Sequence, residues 1–198
     1  MCGRMYIEPH DPTGELAQIL ATLRYKDENE YNSIKFSGEI FPSNVIPVLL
    51  KPINHEPIAV PMKWGFPRFD GKGLIINARS ETASIKPTFK SCTKSTRCII
   101  PISNYFEWKT EDNKKIKYAF QPLDNTLTYI AGLYKKDVQT DTYMFIVLTR
   151  QANETLSFIH DRMPVILTKN MISPWLSTQQ SFESFLIHSR DDISFKLA

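Results

Sequence analysis

Short apolar runs bounded by turn formers dominate the middle of the chain. IAVPMKWGF at 58–66, LIINAR at 74–79, RCIIPI at 97–102, YFEWK at 105–109, KYAFQP at 117–122, TYIAGLY at 128–134 and YMFIVLT at 143–149 are rich in β-branched and aromatic residues and read as strands. MPVILT at 163–168 adds another. EIFPSNVIPVLL carries Pro42 and Pro47 in an apolar background, which predicts extended edge segments rather than a central strand. Helical spacing is confined to the flanks. Asp11-Pro12 has the chemistry of an N-cap and first helical residue, and Leu16, Ile19, Leu20 and Leu23 follow at helical intervals, predicting a helix over about 12–26. ETLSFIH reads as a helical turn ending near His160, and KNMISPWL and QSFESFLI as short terminal helices. Strands without alternating long helices predict an α+β fold with an antiparallel or mixed sheet, in the form of a partly closed barrel, and not a doubly wound sheet.

With 198 residues, 42% hydrophobic and 23% charged, the chain fits one folded domain spanning 1–198. No apolar run has the length of a signal peptide or a membrane span, so the expected compartment is the cytoplasm, with nucleoid association in a bacterium. Cys2, Cys92 and Cys98 are odd in number and His10, His55, His160 and His188 are scattered, so neither a disulfide framework nor a metal site is expected. The formal charge of +3 does not by itself define a partner. Lys86, Lys90, Lys94 and Arg97 form one basic stretch and Lys109, Lys114, Lys115 and Lys117 another, fitting either solvated loops or a phosphate-facing surface.

Polar groups in apolar context are the candidates for chemistry, because burial there demands a partner or shifts a pKa. Glu107 lies between Phe106 and Trp108 and shares a strand face with Tyr105; Asn77 and Arg79 share a face at the end of an apolar strand. His160, Asp161 and Arg162 fill a tight junction before MPVIL. Each also has an ordinary reading, as an outer-face carboxylate, a turn or a capped junction. Cys2 is distinct because of its position. Removal of Met1 would leave an α-amine and a thiol on one residue, with reference pKa values of about 7.7–8.0 and 8.5. Such a 1,2-aminothiol attacks an aldehyde through nitrogen and closes a thiazolidine ring through sulfur. Gly3 gives room for a substrate, and Arg4 a charged grip on phosphate.

MCGR at the start, WGFP at 64–67, NARSET at 77–82, RCIIPISNYFEWK at 97–109, AGLY at 131–134, LTRQAN at 148–153 and IHDRMPVIL at 159–167 together resemble the SRAP (SOS response-associated peptidase) family across nearly the whole chain. The resemblance implies a monomeric protein without cofactor that binds single-stranded DNA and shields abasic sites through a thiazolidine crosslink. It implies Cys2 as nucleophile, Asn77 as the amide that orients the Cys2 amine, Glu107 as a proton-handling carboxylate and His160 as the acid/base of sugar ring opening. Arg4, Arg79 and Arg162 are implied as phosphate contacts, with Pro42, Trp64 and Thr149 lining a bent strand. Phe69 stands where the family usually has Trp, and GEIFPSN around Pro42 replaces a YNxAP motif; the ring of Phe69 suits stacking on a base. The family name also implies an alternative, a thiol peptidase with Cys2, His160 and Glu107 as nucleophile, base and orienter, which removes its own Met1.

Overall fold

The computed structural model describes residues 2–11 and 13–198. The chain opens with β1 (Arg4–Ile7), α1 (Glu15–Leu20) and α2 (Glu28–Ser33), then β2 (Gly38–Ile40), β3 (Val45–Leu50) and β4 (Ile58–Trp64). A small hairpin of β5 (Phe66–Pro67) and β6 (Leu74–Ile75) leads into β7 (Asn77–Arg79), α3 (Ser80–Ala83) and α4 (Pro87–Ser95). The long strands follow: β8 (Arg97–Ile102), β9 (Asn104–Glu111), β10 (Lys114–Pro122), β11 (Thr128–Lys136) and β12 (Tyr143–Gln151). The last part holds α5 (Glu154–Ser157), β13 (Arg162–Pro164), β14 (Ile166–Leu167), α6 (Ile172–Ser177), α7 (Phe182–Ile187) and β15 (Ile193–Leu197). The fold is α+β, as the pattern of short strands implied.

Strands β12, β4, β3, β8 and β11 pair in that order and β11 pairs back onto β12, so these five close into a ring. β7, β13 and β14 attach to this barrel at its margins. RCIIPI is buried at every position because its inner face fills the barrel while α4 and α6 cover the outer one. Closure leaves no room at one point. A Cβ on Gly132 of β11 would sit 2.5 Å from Ile100 Cδ1 and 2.8 Å from the Ile146 carbonyl oxygen. The second sheet, β15-β10-β9-β1-β2, is antiparallel throughout. Its inner face carries Met5, Tyr105 and Phe120 into the common core, and its outer face carries Arg4, Tyr6, Phe106, Trp108 and Lys117.

Several expectations change. The helix over 12–26 is limited to α1, because Thr22 closes a tight turn on the Ile19 carbonyl and its Oγ1 accepts from the Ala59 N–H. Pro12 lies outside the described residues, and the N-cap position falls on Gly14 rather than Asp11, because the helix starts only at Glu15; the Asp11 carboxylate still reaches forward to accept from the Leu16 N–H at 2.7 Å. α2 was not foreseen; it is polar and buries no residue, and its signal is the Asp27 side chain accepting from the Glu30 N–H. Pro47 is not on an edge. It sits in β3 between β4 and β8, directly opposite Pro61. Two prolines can face each other only at a rung where both nitrogens point away from the pair, and on its other side β3 meets β8 at Leu49↔Ile99 alone. The strand expected over 74–79 is interrupted at Ile76, whose carbonyl accepts from Trp64 and Val147. The first basic stretch is also divided: Arg97 turns inward, donating to the Thr93 carbonyl and lying 5.0 Å over the Trp175 ring.

Candidate active site

Cys2 enters the site just before β1. The β1–β9 register sets Arg4 opposite Phe106 and Met5 opposite Tyr105, so one rung further brings Gly3 level with Glu107. Cys2 has no exposed surface, and its Sγ makes a weak 3.9 Å contact to the Arg4 carbonyl. Burial, and next the Glu107 charge, push the thiol pKa well above its ordinary value. At neutral pH the sulfur is a protonated thiol. Met1 lies outside the described residues.

Asn77 opens β7, which pairs in parallel with β12 at Asn77↔Val147. The residue before it is pinned, since the Ile76 carbonyl accepts from Trp64 Nε1 at 3.1 Å and from the Val147 N–H at 3.0 Å. From this position Asn77 Nδ2 donates to the Cys2 carbonyl at 2.9 Å, while Oδ1 is buried without a partner. Among the described residues, the contact from Asn77 to Cys2 is the one to its carbonyl. An amide has one donor end and one acceptor end. The donor end holds the carbonyl, and Oδ1 is the end suited to an N–H.

Glu107 projects from β9 and is 4% exposed, so the outer-face reading of this carboxylate does not hold. Burial raises its pKa, outweighing the opposing effect of the His160 ring. His160 Nε2 lies 4.0 Å from Glu107 Oε2, close enough for electrostatic coupling but long for a direct hydrogen bond. The Arg162 N–H donates to His160 Nδ1 at 2.9 Å, a contact that fits the neutral ring with its proton on Nε2, facing Glu107. Asp161 Oδ1, also 2.9 Å from Nδ1, offers an acceptor to the doubly protonated ring. The imidazole thus has a fitting neighbour in either charge state.

The residues expected to hold DNA separate into two groups. Arg79 is exposed, Phe69 stands fully exposed in the β5–β6 hairpin and Pro42 is half-buried in the turn after β2. Arg4 is partly exposed, with its Nη1 2.7 Å from Glu39 and its guanidinium 3.7 Å over the Phe41 ring. The others are not surface contacts. Trp64 has no exposed surface and stacks on Phe145 at 6.1 Å, so its ring has no face for a strand; through Ile76 it positions Asn77 instead. Thr149 is fully buried, its hydroxyl directed at the Ala78 carbonyl. Arg162 spends its fork on Glu81, at 2.7 and 2.9 Å, and also reaches the Thr149 carbonyl at 2.7 Å. These three hold the site together from behind. Glu39 and Glu81, the anionic partners of Arg4 and Arg162, had not been singled out; each is an isolated carboxylate whose importance rests on long-range pairing.

Among the described residues no cluster of His, Cys, Asp or Glu is arranged to hold a metal, and no helix is long and apolar enough to cross a membrane. A buried cysteine near the chain start, with an amide, a carboxylate and an imidazole brought in from three other segments around a small barrel, makes up a cysteine-centred candidate site. The chain belongs to the family described as SOS response associated peptidase (SRAP), whose family model matches residues 1–194. It is 40% identical over 195 residues to the abasic site processing protein YoqW of Bacillus subtilis, covering 94% of this chain and 84% of that protein. To the abasic site processing protein YMR114C of Saccharomyces cerevisiae it is 30% identical, covering 84% of this chain and 52% of the yeast protein. A crystal structure of a protein from Bacteroides thetaiotaomicron shares the fold with a TM-score of 0.80 at 21% identity, over 99% of this chain and 91% of that one.

Proposed function

We propose that this protein processes abasic sites in single-stranded DNA by forming a covalent thiazolidine with the lesion. The observation that carries the reading is the grip of Asn77 on the Cys2 carbonyl beside the buried Glu107 and the partly exposed His160. With Met1 removed, the Cys2 amine attacks C1′ of the ring-opened sugar, and the carbinolamine loses one water to give an imine. Sulfur then adds to C1′ while its proton passes to nitrogen, closing the ring. Asn77 Oδ1 accepts from the amine. His160 protonates the sugar ring oxygen as it opens, and Glu107, which burial biases toward the protonated form, exchanges protons with the carbinolamine oxygen and nitrogen. A thiol that stays protonated is tolerable here because nitrogen attacks first and sulfur only closes the ring.

Arg79 and Phe69, both exposed, and the partly exposed Arg4 and Pro42 are the groups placed to receive the strand. Intact-mass measurement of the purified protein, with and without an oligonucleotide carrying one abasic site, tests the proposal. The expected adduct weighs the sum of des-Met1 protein and DNA minus one water. A denaturation-resistant adduct that persists in Cys2→Ala refutes the thiazolidine route.

A further inference from the structure

The outer face of the β15-β10-β9-β1-β2 sheet carries a row of cations held over aromatic rings, and the row begins at the site. Arg4 lies 3.7 Å over Phe41 and 5.5 Å over Trp108. Lys117 lies 3.8 Å over Phe106, and Lys35 5.6 Å over Phe41. Glu39 fastens both Arg4 and Lys117 to this face. Three cations against one carboxylate leave the patch positive, and rings interleaved with basic groups are what a single strand tracks along.

At the other end of β9 this face runs into a cavity of about 380 Å³ that includes Asn104, Gln121, Asn125 and Ser103 in its lining. Arg4 is level with Phe106 and Tyr6 with Asn104, so the cavity lies one two-residue step beyond Arg4, about 7 Å along the strand. That is within reach of the next nucleotide of an extended strand. Gln121 Nε2 donates to Asn125 Oδ1 at 2.5 Å, which locks those two amides into a wall. Asn104 differs: its Oδ1 is buried with no partner, so turning its amide toward the cavity breaks no bond to that oxygen. Glu8, Asp11, His10 and Lys196 also line the cavity; two carboxylates against one ammonium do not favour a phosphate there, leaving the uncharged part of a nucleotide as the fitting occupant.

We propose that this cavity takes an unpaired nucleobase of the strand that carries the lesion, with the Asn104 amide pairing with the hydrogen-bonding edge of the base. The proposal rests on abasic single-stranded DNA as the substrate. The test uses the full-length protein and oligonucleotides with one abasic site, in which each neighbouring position in turn carries thymine, a base-free tetrahydrofuran spacer or the nonpolar thymine isostere difluorotoluene. At one position both the spacer and the isostere are expected to raise the DNA concentration for half-maximal adduct formation roughly tenfold. Asn104→Ala, or the near-isosteric Asn104→Leu should the first variant fold poorly, is expected to erase that difference. Equal half-saturation at every position overturns the proposal, and so does an isostere that behaves like thymine, since that contact would be stacking alone. If the wild type forms no adduct with any oligonucleotide, the abasic-site reading fails and this proposal with it; adducts without positional dependence overturn only the nucleobase site.

Discussion

Asn77 offers the sharpest test of how the site is held. Its 2.9 Å bond to the Cys2 carbonyl joins β7 to the proposed nucleophile. Replacing Asn77 with Ala removes a bond with a net value of about 0.5–1.5 kcal/mol and leaves a carbonyl short of a donor. Since Asn77 is partly exposed, water can repay some of that loss, and a total of about 1–2 kcal/mol follows. If the held geometry is the reactive one, that loss appears as a crosslinking rate about 5- to 30-fold lower. Asn77→Asp is more diagnostic. Its ionised carboxylate would set oxygen against oxygen where Nδ2 now donates, whereas the protonated form regains a donor. The Asp variant is therefore expected to be slower than the Ala variant at neutral pH and to recover relative to it as the pH falls toward the ordinary aspartate range, near 4. Single-turnover adduct formation with a labelled abasic oligonucleotide, resolved on denaturing gels, measures both effects. An Ala variant reacting at the wild-type rate, or an Asp variant with the same pH profile as Ala, would sink the argument.

Two further outcomes follow from burial and packing. Glu107 has a folded pKa above its unfolded value, so its neutral form favours the fold: the contribution is fully present below about pH 4.3 and is lost as pH rises through the raised folded value. Denaturant melts of wild type and Glu107→Gln should therefore match best in acid, with the Gln variant gaining relative stability toward neutral pH; a gap independent of pH contradicts the buried-carboxylate assignment. Gly132→Ala drives a Cβ to 2.8 Å from the Ile146 carbonyl, which the β11–β12 ladder keeps from yielding freely. Overpacking of this kind costs about 1–3 kcal/mol, or roughly 3–10 °C in Tm for a chain of this size. A variant melting with the wild type would mean that the ring has slack at this point.

Local pattern carried a good deal. The long strands β8 to β12 were legible because β-branched and aromatic runs at those positions leave little alternative, and a buried Glu107 was one of two readings open for NYFEWK. Cys2, Asn77, Glu107 and His160 were legible as a set through the joint motifs, and tertiary structure brings them together. What sequence could not supply is any relation between distant segments. Trp64 looks like a surface ring until its N–H is seen holding Ile76, and Arg162 looks like a free cation until Glu81 takes its fork. Pro47 was misplaced for the same reason: whether a missing N–H matters depends on which rung faces it, and that is decided by the partner strand. Side-chain type and spacing set which elements could form and which groups could react. Only packing decided which charges are neutralised and which rings are buried, because both depend on neighbours that lie far apart along the chain.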